Sequence, residues 1–291
     1  MAQQETDIKS EAAFIDEREV LKHRRVKRAL KRSSIVGDWS DLFGQPAPDA
    51  LQEPYNLDEE GKKRNAGIMK KYSDRALNNR RAWNRMQRYM PELLRPGVEK
   101  QVVFELSTAH GAMLEVARHF GHDVIGNDFA NMVFAKQGQE VATTRALNDD
   151  SFTRDVDDWG YEISDDPSKQ DWPYRHITEA QKIPMKIFDG GKAPYPLDEK
   201  SVDVTMCLQS IEHYCHPDDW MTVIDEMCRI TRRSIFILLN PMHKRFKDVK
   251  GYQESFDKAR IDLRDYNANG FENVATHMHW GKAHGFKLVA R

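Results

Sequence analysis

The tightest constraint on what this chain can fold into is a change of rhythm at residue 100. Residues 101–106 (QVVFEL) are a short apolar run bounded by turn-formers, the mark of a buried strand. An amphipathic stretch follows at 111–121 (GAMLEVARHFG), then a second apolar run at 122–128 (HDVIGND) and a helix starting near Ala130. Strand, helix and strand joined by minimal loops make a βαβ unit, and such strands lie parallel in one sheet. Further strands are expected at 185–189, 202–208 and 234–240, with a helix from Asp218 to Thr231 between the last two. GFKLVAR at 285–291 adds one more strand. The fold class is therefore α/β, a doubly wound and mainly parallel sheet with an N-terminal helical extension.

That extension occupies residues 1–97. Residues 11–34 contain no glycine or proline and read as a helix, acidic at its start and basic at its end, which suits the helix dipole. A loop carrying Gly44, Pro46, Pro48 and Pro54 follows. Helix resumes over 57–94, with Ile68, Tyr72, Leu77, Trp83 and Met86 as an irregular apolar stripe, and stops by Pro96-Gly97. The main domain spans 98–291. Within it, residues 145–184 interrupt the alternation with acids and aromatics, among them Asp149, Asp150, Phe152, Trp159, Tyr161, Trp172 and Tyr174. A long irregular segment of this kind is expected to be an insertion or lid over a binding site.

Composition removes several classes. With 44 basic and 46 acidic residues the net charge is −2, so no global field favours nucleic acid. The basic run Arg18, Lys22, Arg24, Arg25, Lys27, Arg28, Lys31 and Arg32 lacks interleaved aromatics and reads as a solvated or oligomer-forming helix. No stretch approaches the ~20 apolar residues of a membrane span. The three cysteines, Cys207, Cys215 and Cys228, have no metal-binding spacing and suggest small core residues in a reducing, cytoplasmic setting.

In an open parallel sheet, ligands bind beyond the carboxyl ends of the strands. The first strand ends in Glu105, followed by a turn of small residues, Ser107, Ala109 and Gly111, that opens a helix and lets a ligand approach backbone N–H groups. The second ends in Asn127-Asp128, about twenty residues on, where an acid can accept hydrogen bonds from ribose hydroxyls. Asp189-Gly190 closes the third strand and Cys207-Leu208-Gln209 the fourth.

On these residues the sequence resembles the class I S-adenosylmethionine-dependent methyltransferases, with a Rossmann-like fold, over roughly residues 100–240. Glu105-Leu-Ser107-Thr-Ala109-His-Gly111 resembles the family's acid-and-glycine motif, with two glycines replaced by Ser107 and Ala109. The resemblance makes Asp128, with Phe129 beside it, the ribose-binding position and Asp189, with Gly190, the adenine-side position; Gln209 falls at the end of the fourth strand. It extends through Pro194, Ser201-Val202-Asp203 and Ile211-Glu212-His213, and 226–241 matches the family's next helix and strand without its usual glycine. It implies S-adenosyl-L-methionine as cofactor, S-adenosyl-L-homocysteine as product, and methyl transfer to an oxygen or nitrogen of a small polar or saccharide acceptor.

His213 follows the fourth strand, where a neutral imidazole could remove a hydroxyl proton, with His216 and His243 in reserve. His277, His279 and His284 are expected on a terminal helix where positions 277 and 279 point to different faces, so no metal site is expected. Arg75 is expected at the surface. The alternatives are an inactive methyltransferase-like scaffold or regulatory subunit, if Ser107 and Ala109 close the pocket, and a dinucleotide oxidoreductase, against which the lost glycines argue. The family's antiparallel closing pair is expected to be incomplete, leaving a sheet edge that, like the N-terminal helices, could pair with a second copy.

Overall fold

The computed structural model describes residues 45–68, 70–94, 97–129, 172, 174–242, 246, 250–279 and 283–291. The helix expected at 11–34, the one starting near Ala130, most of 145–184 and His243 lie outside them. The stretch expected as one helix over 57–94 is broken into α1 (Glu59–Gly67), α2 (Lys70–Ser73) and α3 (Arg75–Tyr89), followed by a 3-10 turn at Pro91–Leu93. The break before α3 has a local cause: the Asp74 carboxylate accepts the N–H of Leu77 and caps a new helix, as Asp58 caps α1 through the N–H of Gly61.

The sheet then begins with β1 (Val102–Leu106), α4 (Ala112–His119) and β2 (Asp123–Asp128). After them come α5 (Arg175–Ala180), β3 (Met185–Ile187), β4 (Val202–Leu208), α6 (Trp220–Ile230), β5 (Thr231–Leu239) and α7 (Tyr252–Arg264). The chain closes with β6 (Asn267–Ala268), β7 (Phe271–His279) and β8 (Ala283–Ala290). The strand order is β3-β2-β1-β4-β5-β8-β7-β6, parallel from β3 to β5 and antiparallel beyond. This is the doubly wound, mainly parallel sheet that the sequence predicts.

Two expectations are corrected at the carboxyl side. The terminal histidines do not form a helix: His277 and His279 are on β7, His284 is on β8, and His277 pairs with Gly285. The closing antiparallel pair is also complete, because 271–279 forms β7, a strand that its residue pattern does not announce. FENVATHMH sets Phe271 and Val274, both buried, among polar neighbours that one sheet face leaves partly open.

Side chains alternate across the sheet and feed two apolar layers. On β5, Ile235, Ile237 and Leu239 join Trp220, Ile224 and Phe256 beneath α6 and α7. Phe236 and Leu238 face the other way and join Trp83, Met86, Leu93, Val103 and Met113 beneath α3 and α4. The N-terminal helix α3 thus shares a core with the sheet. Two ion pairs bind it there. Arg75, expected at the surface, donates to the buried Glu115 carboxylate at 2.8 Å and to the carbonyls of Ala50 and Glu53. Lys287 on β8 reaches the carboxylate of Glu92 and the carbonyl of Tyr89. Asp203 starts β4 structurally, accepting the Val102 N–H and pairing with Arg232. All three cysteines are free and buried.

Candidate active site

A cavity of about 780 Å³ opens over the carboxyl ends of β1, β2, β4 and β5, with α3 along one side. Its geometry starts from the turn after β1. Ser107, Ala109 and Gly111 have φ values of 58°, 51° and 74°, all left-handed. Such a conformation costs a non-glycine residue about 1–2 kcal/mol, so Ser107 and Ala109 keep a glycine-type turn at an energetic cost. Neighbours hold it in place. Thr108 donates its N–H to Asn127 O and its hydroxyl to Glu105 O, while Asn127 N–H donates to the same hydroxyl. Ser107 N–H donates to the Asn127 side chain, which in turn donates to the carbonyls of Lys186 in β3 and Phe188 just after it. Asn127 therefore clamps the ends of three strands together.

Of the candidate cofactor and catalytic residues, Gly111 is the one that does not line the cavity. It caps α4, and a Cβ there would clash with Ile183 Cδ1, so steric need explains the glycine that is kept. Glu105, Ser107, Ala109, Asp128, Phe129, Asp189, Gly190, Gln209 and His213 all face the cavity together.

The acids in this group are held away from their ordinary state. Burial pushes Asp128 up to about 7, against the opposing N–H bonds from Phe129 at 2.9 Å and Ala109 at 3.2 Å. Burial raises Asp189 as well, while the Gly191 N–H and Lys192 oppose it. Glu105, 4% exposed, is pushed well above the carboxylate range by burial, with Arg85 opposing and Asp128 adding to the rise. Its Oε2 has no hydrogen-bond partner.

Sequence reasoning missed the basic side of the cavity. Arg81 and Arg85, one turn apart on α3, both line it, as do Tyr72 and Tyr174. Burial pulls Arg85 below its usual range while Glu105 works against that, and its guanidinium donates to the Gln209 side chain. His110 is driven down to about 3 by burial and then by Arg85 and Arg81, so its ring is neutral. The only sequence signal for these arginines was the i,i+4 spacing on a helix just before β1. Gln209, at φ 55°, exchanges amide hydrogen bonds with Asn240 at the end of β5. His216 is placed elsewhere: its Nδ1 accepts the Asp218 N–H, and it does not line the cavity.

The carboxyl edge thus gathers acidic, basic and aromatic side chains around one cavity. No family model matches the chain and no curated protein matches it. Solved structures do. A SAM-dependent methyltransferase from Aquifex aeolicus is 12% identical, with 80% of this chain and 100% of that one covered and a TM-score of 0.39. A TehB-like SAM-dependent methyltransferase from Corynebacterium glutamicum is 10% identical, covering 74% and 87%, at 0.39. Magnesium protoporphyrin IX methyltransferase from Synechocystis with bound SAM is 12% identical, covering 96% and 99%, at 0.36. Among the described residues no helix is long and apolar enough to cross a membrane.

Proposed function

We propose that the chain is an S-adenosylmethionine-dependent methyltransferase acting on an oxygen or nitrogen of a small polar or sugar-like acceptor. The observation that carries this reading is the buried Glu105 Oε2, which lacks a hydrogen-bond partner in the same cavity as Arg85. An ammonium and a carboxylate on one ligand answer both groups at once, and the methionyl end of S-adenosylmethionine carries that pair. Asp128, at the end of β2, would accept from ribose hydroxyls, and Asp189, just after β3, would face the adenine.

When bound, the cofactor supplies an activated methyl group and a good leaving group. The chain's part is to hold, align and exclude water. Arg85 would grip the ligand's carboxylate with a planar two-pronged donor set, and Glu105 would accept from its ammonium. Tyr72 and Tyr174, with ring centroids 5.7 Å apart, provide aromatic faces near His110 for a hydroxylated ring. His213, half-buried at the end of the turn after β4, would take the acceptor's proton. The free, buried cysteines support a reducing, cytoplasmic setting.

Titration calorimetry with S-adenosylhomocysteine tests the reading. Saturable one-to-one binding that competes with S-adenosylmethionine is expected; absence of binding by either molecule overturns it.

A further inference from the structure

One end of the cavity gathers polar groups that the cofactor assignment leaves unused. Helix α3 presents Asn78, Arg81 and Arg85 along one face, and all three line the cavity. Arg85 answers the methionyl carboxylate, while Arg81 stands one turn away at the exposed rim. Beside Asn78, the rings of Tyr72, Tyr174 and His110 form a cluster with centroids 5.7, 5.9 and 6.5 Å apart.

The surroundings of His110 decide what it offers a ligand. Its Nδ1 accepts the Ala112 N–H at 3.3 Å, and the ring is neutral, so its one proton sits on Nε2 and that nitrogen donates. Burial first, then the charges of Arg85 and Arg81, keep the ring neutral, and no described acid offsets them. The charge of Arg81 therefore reaches into the cavity. Asn78 adds an acceptor of fixed direction. Its amide donates to the Tyr72 carbonyl at 2.7 Å and to the Tyr55 hydroxyl at 3.1 Å, which sets Nδ2 on that side. Its Oδ1 stays without a hydrogen-bond partner in a side chain 2% exposed, a costly state unless a ligand donates to it.

We infer that Arg81 and His110 Nε2 bind an anionic group of the methyl acceptor, and that Asn78 Oδ1 accepts from a hydroxyl beside that group. The acceptor is then a hydroxylated acid, whose carboxylate or phosphate anchors it and takes no part in the transfer. The inference rests on the methyltransferase reading and narrows its acceptor from a polar molecule to an acid. Charge balance supports it. S-adenosylmethionine brings one carboxylate against a sulfonium and an ammonium, so it satisfies one arginine of the two and adds net positive charge. A second cation in the same cavity favours a second anion. An anchor at the rim also holds the acceptor in one orientation, which is the chain's main contribution to a displacement of this kind.

The test follows His110 in long-range 1H–15N spectra of histidine-labelled protein saturated with S-adenosylhomocysteine, at constant ionic strength. His110→Asn identifies the signal. Inorganic phosphate and acetate are titrated in turn, with sodium chloride as the control, and the tighter of the two names the anion. A saturable shift of the Nε2 signal is expected, with S-adenosylhomocysteine still bound. Arg81→Gln should weaken the anion by at least about tenfold, the worth of one charge-assisted hydrogen bond. Its affinity for S-adenosylhomocysteine should stay within about threefold of wild type, because the exposed charge is screened. A response no larger than that to chloride, an undiminished response in Arg81→Gln, or displacement of S-adenosylhomocysteine by the anion overturns the proposal while the cofactor reading stands. If wild type does not bind S-adenosylhomocysteine, both fall. Should Arg81→Gln fail to fold, wild type decides through the chloride control and the displacement.

Discussion

The Lys287 ammonium lies 2.5 Å from the Glu92 carboxylate, and both side chains are buried, at 4% and 2% exposure. The two residues stand 195 positions apart and join β8 to the turn that follows α3. Removing one member would leave the other charge without compensation in the interior, at a cost of about 3–5 kcal/mol. Lys287→Met should therefore lower the urea midpoint strongly, whereas Lys287→Met combined with Glu92→Met should recover much of the loss. Chemical denaturation of the two variants checks the ordering.

Asp128 sets function against stability. Its carboxyl titrates at about 7 in the folded chain against an ordinary value of 3.8, so between those values the native state keeps a proton that the unfolded chain has released. Stability then falls as pH rises through that window. Asp128→Asn should melt higher than wild type at pH 8 and show no such gain at pH 4. The same variant should bind S-adenosylhomocysteine about tenfold to several hundredfold more weakly, as charge-assisted bonds to ribose are lost.

The turn after β1 gives a graded series. Ala109→Gly and Ser107→Gly each remove a left-handed non-glycine residue, and the relief is partly offset by the greater freedom of glycine when unfolded. Each should stabilise by at most about 1 kcal/mol. Gly111→Ala should destabilise by clearly more than that, since its Cβ meets Ile183 as well as adopting φ 74°. Thermal unfolding of the three variants should rank them in that order.

Arg85 and Arg75 lie on the same helix with different assignments. Arg85→Ala should weaken S-adenosylhomocysteine binding by about 10- to 100-fold while leaving 5′-methylthioadenosine, which lacks the carboxylate, unaffected. Arg75→Ala should instead unfold more easily, because it strands the buried Glu115, and should not alter the ratio of the two affinities. Calorimetry with both nucleosides separates the roles.

The parallel half of the sheet was legible because each strand is a continuous apolar run closed by a turn. Val202–Leu208 matches its predicted limits for that reason. Glu105, Asp128 and Asp189 could be placed from the sequence since strand ends converge by topology alone. The closing hairpin was not legible, because β7 mixes its few buried residues with histidine, asparagine and threonine, and its pairing partner supplies the missing regularity. Arg85 was hidden for another reason. Its meaning depends on what it approaches across the fold, a glutamine 124 positions away.

The interleaving of the last strands bears on how the protein is made. β8 lies between β5 and β7, so the neighbour that β5 needs is translated after the strand that ends up one place further out. While β7 has left the ribosome and β8 has not, the free side of β5 faces a strand that must not pair with it directly. The α3 layer likewise waits for Lys287 before its buried glutamate is neutralised. Delaying translation between residues 279 and 283 should thus expose a sticky intermediate, a liability that chaperones, rather than the native contacts, would have to manage.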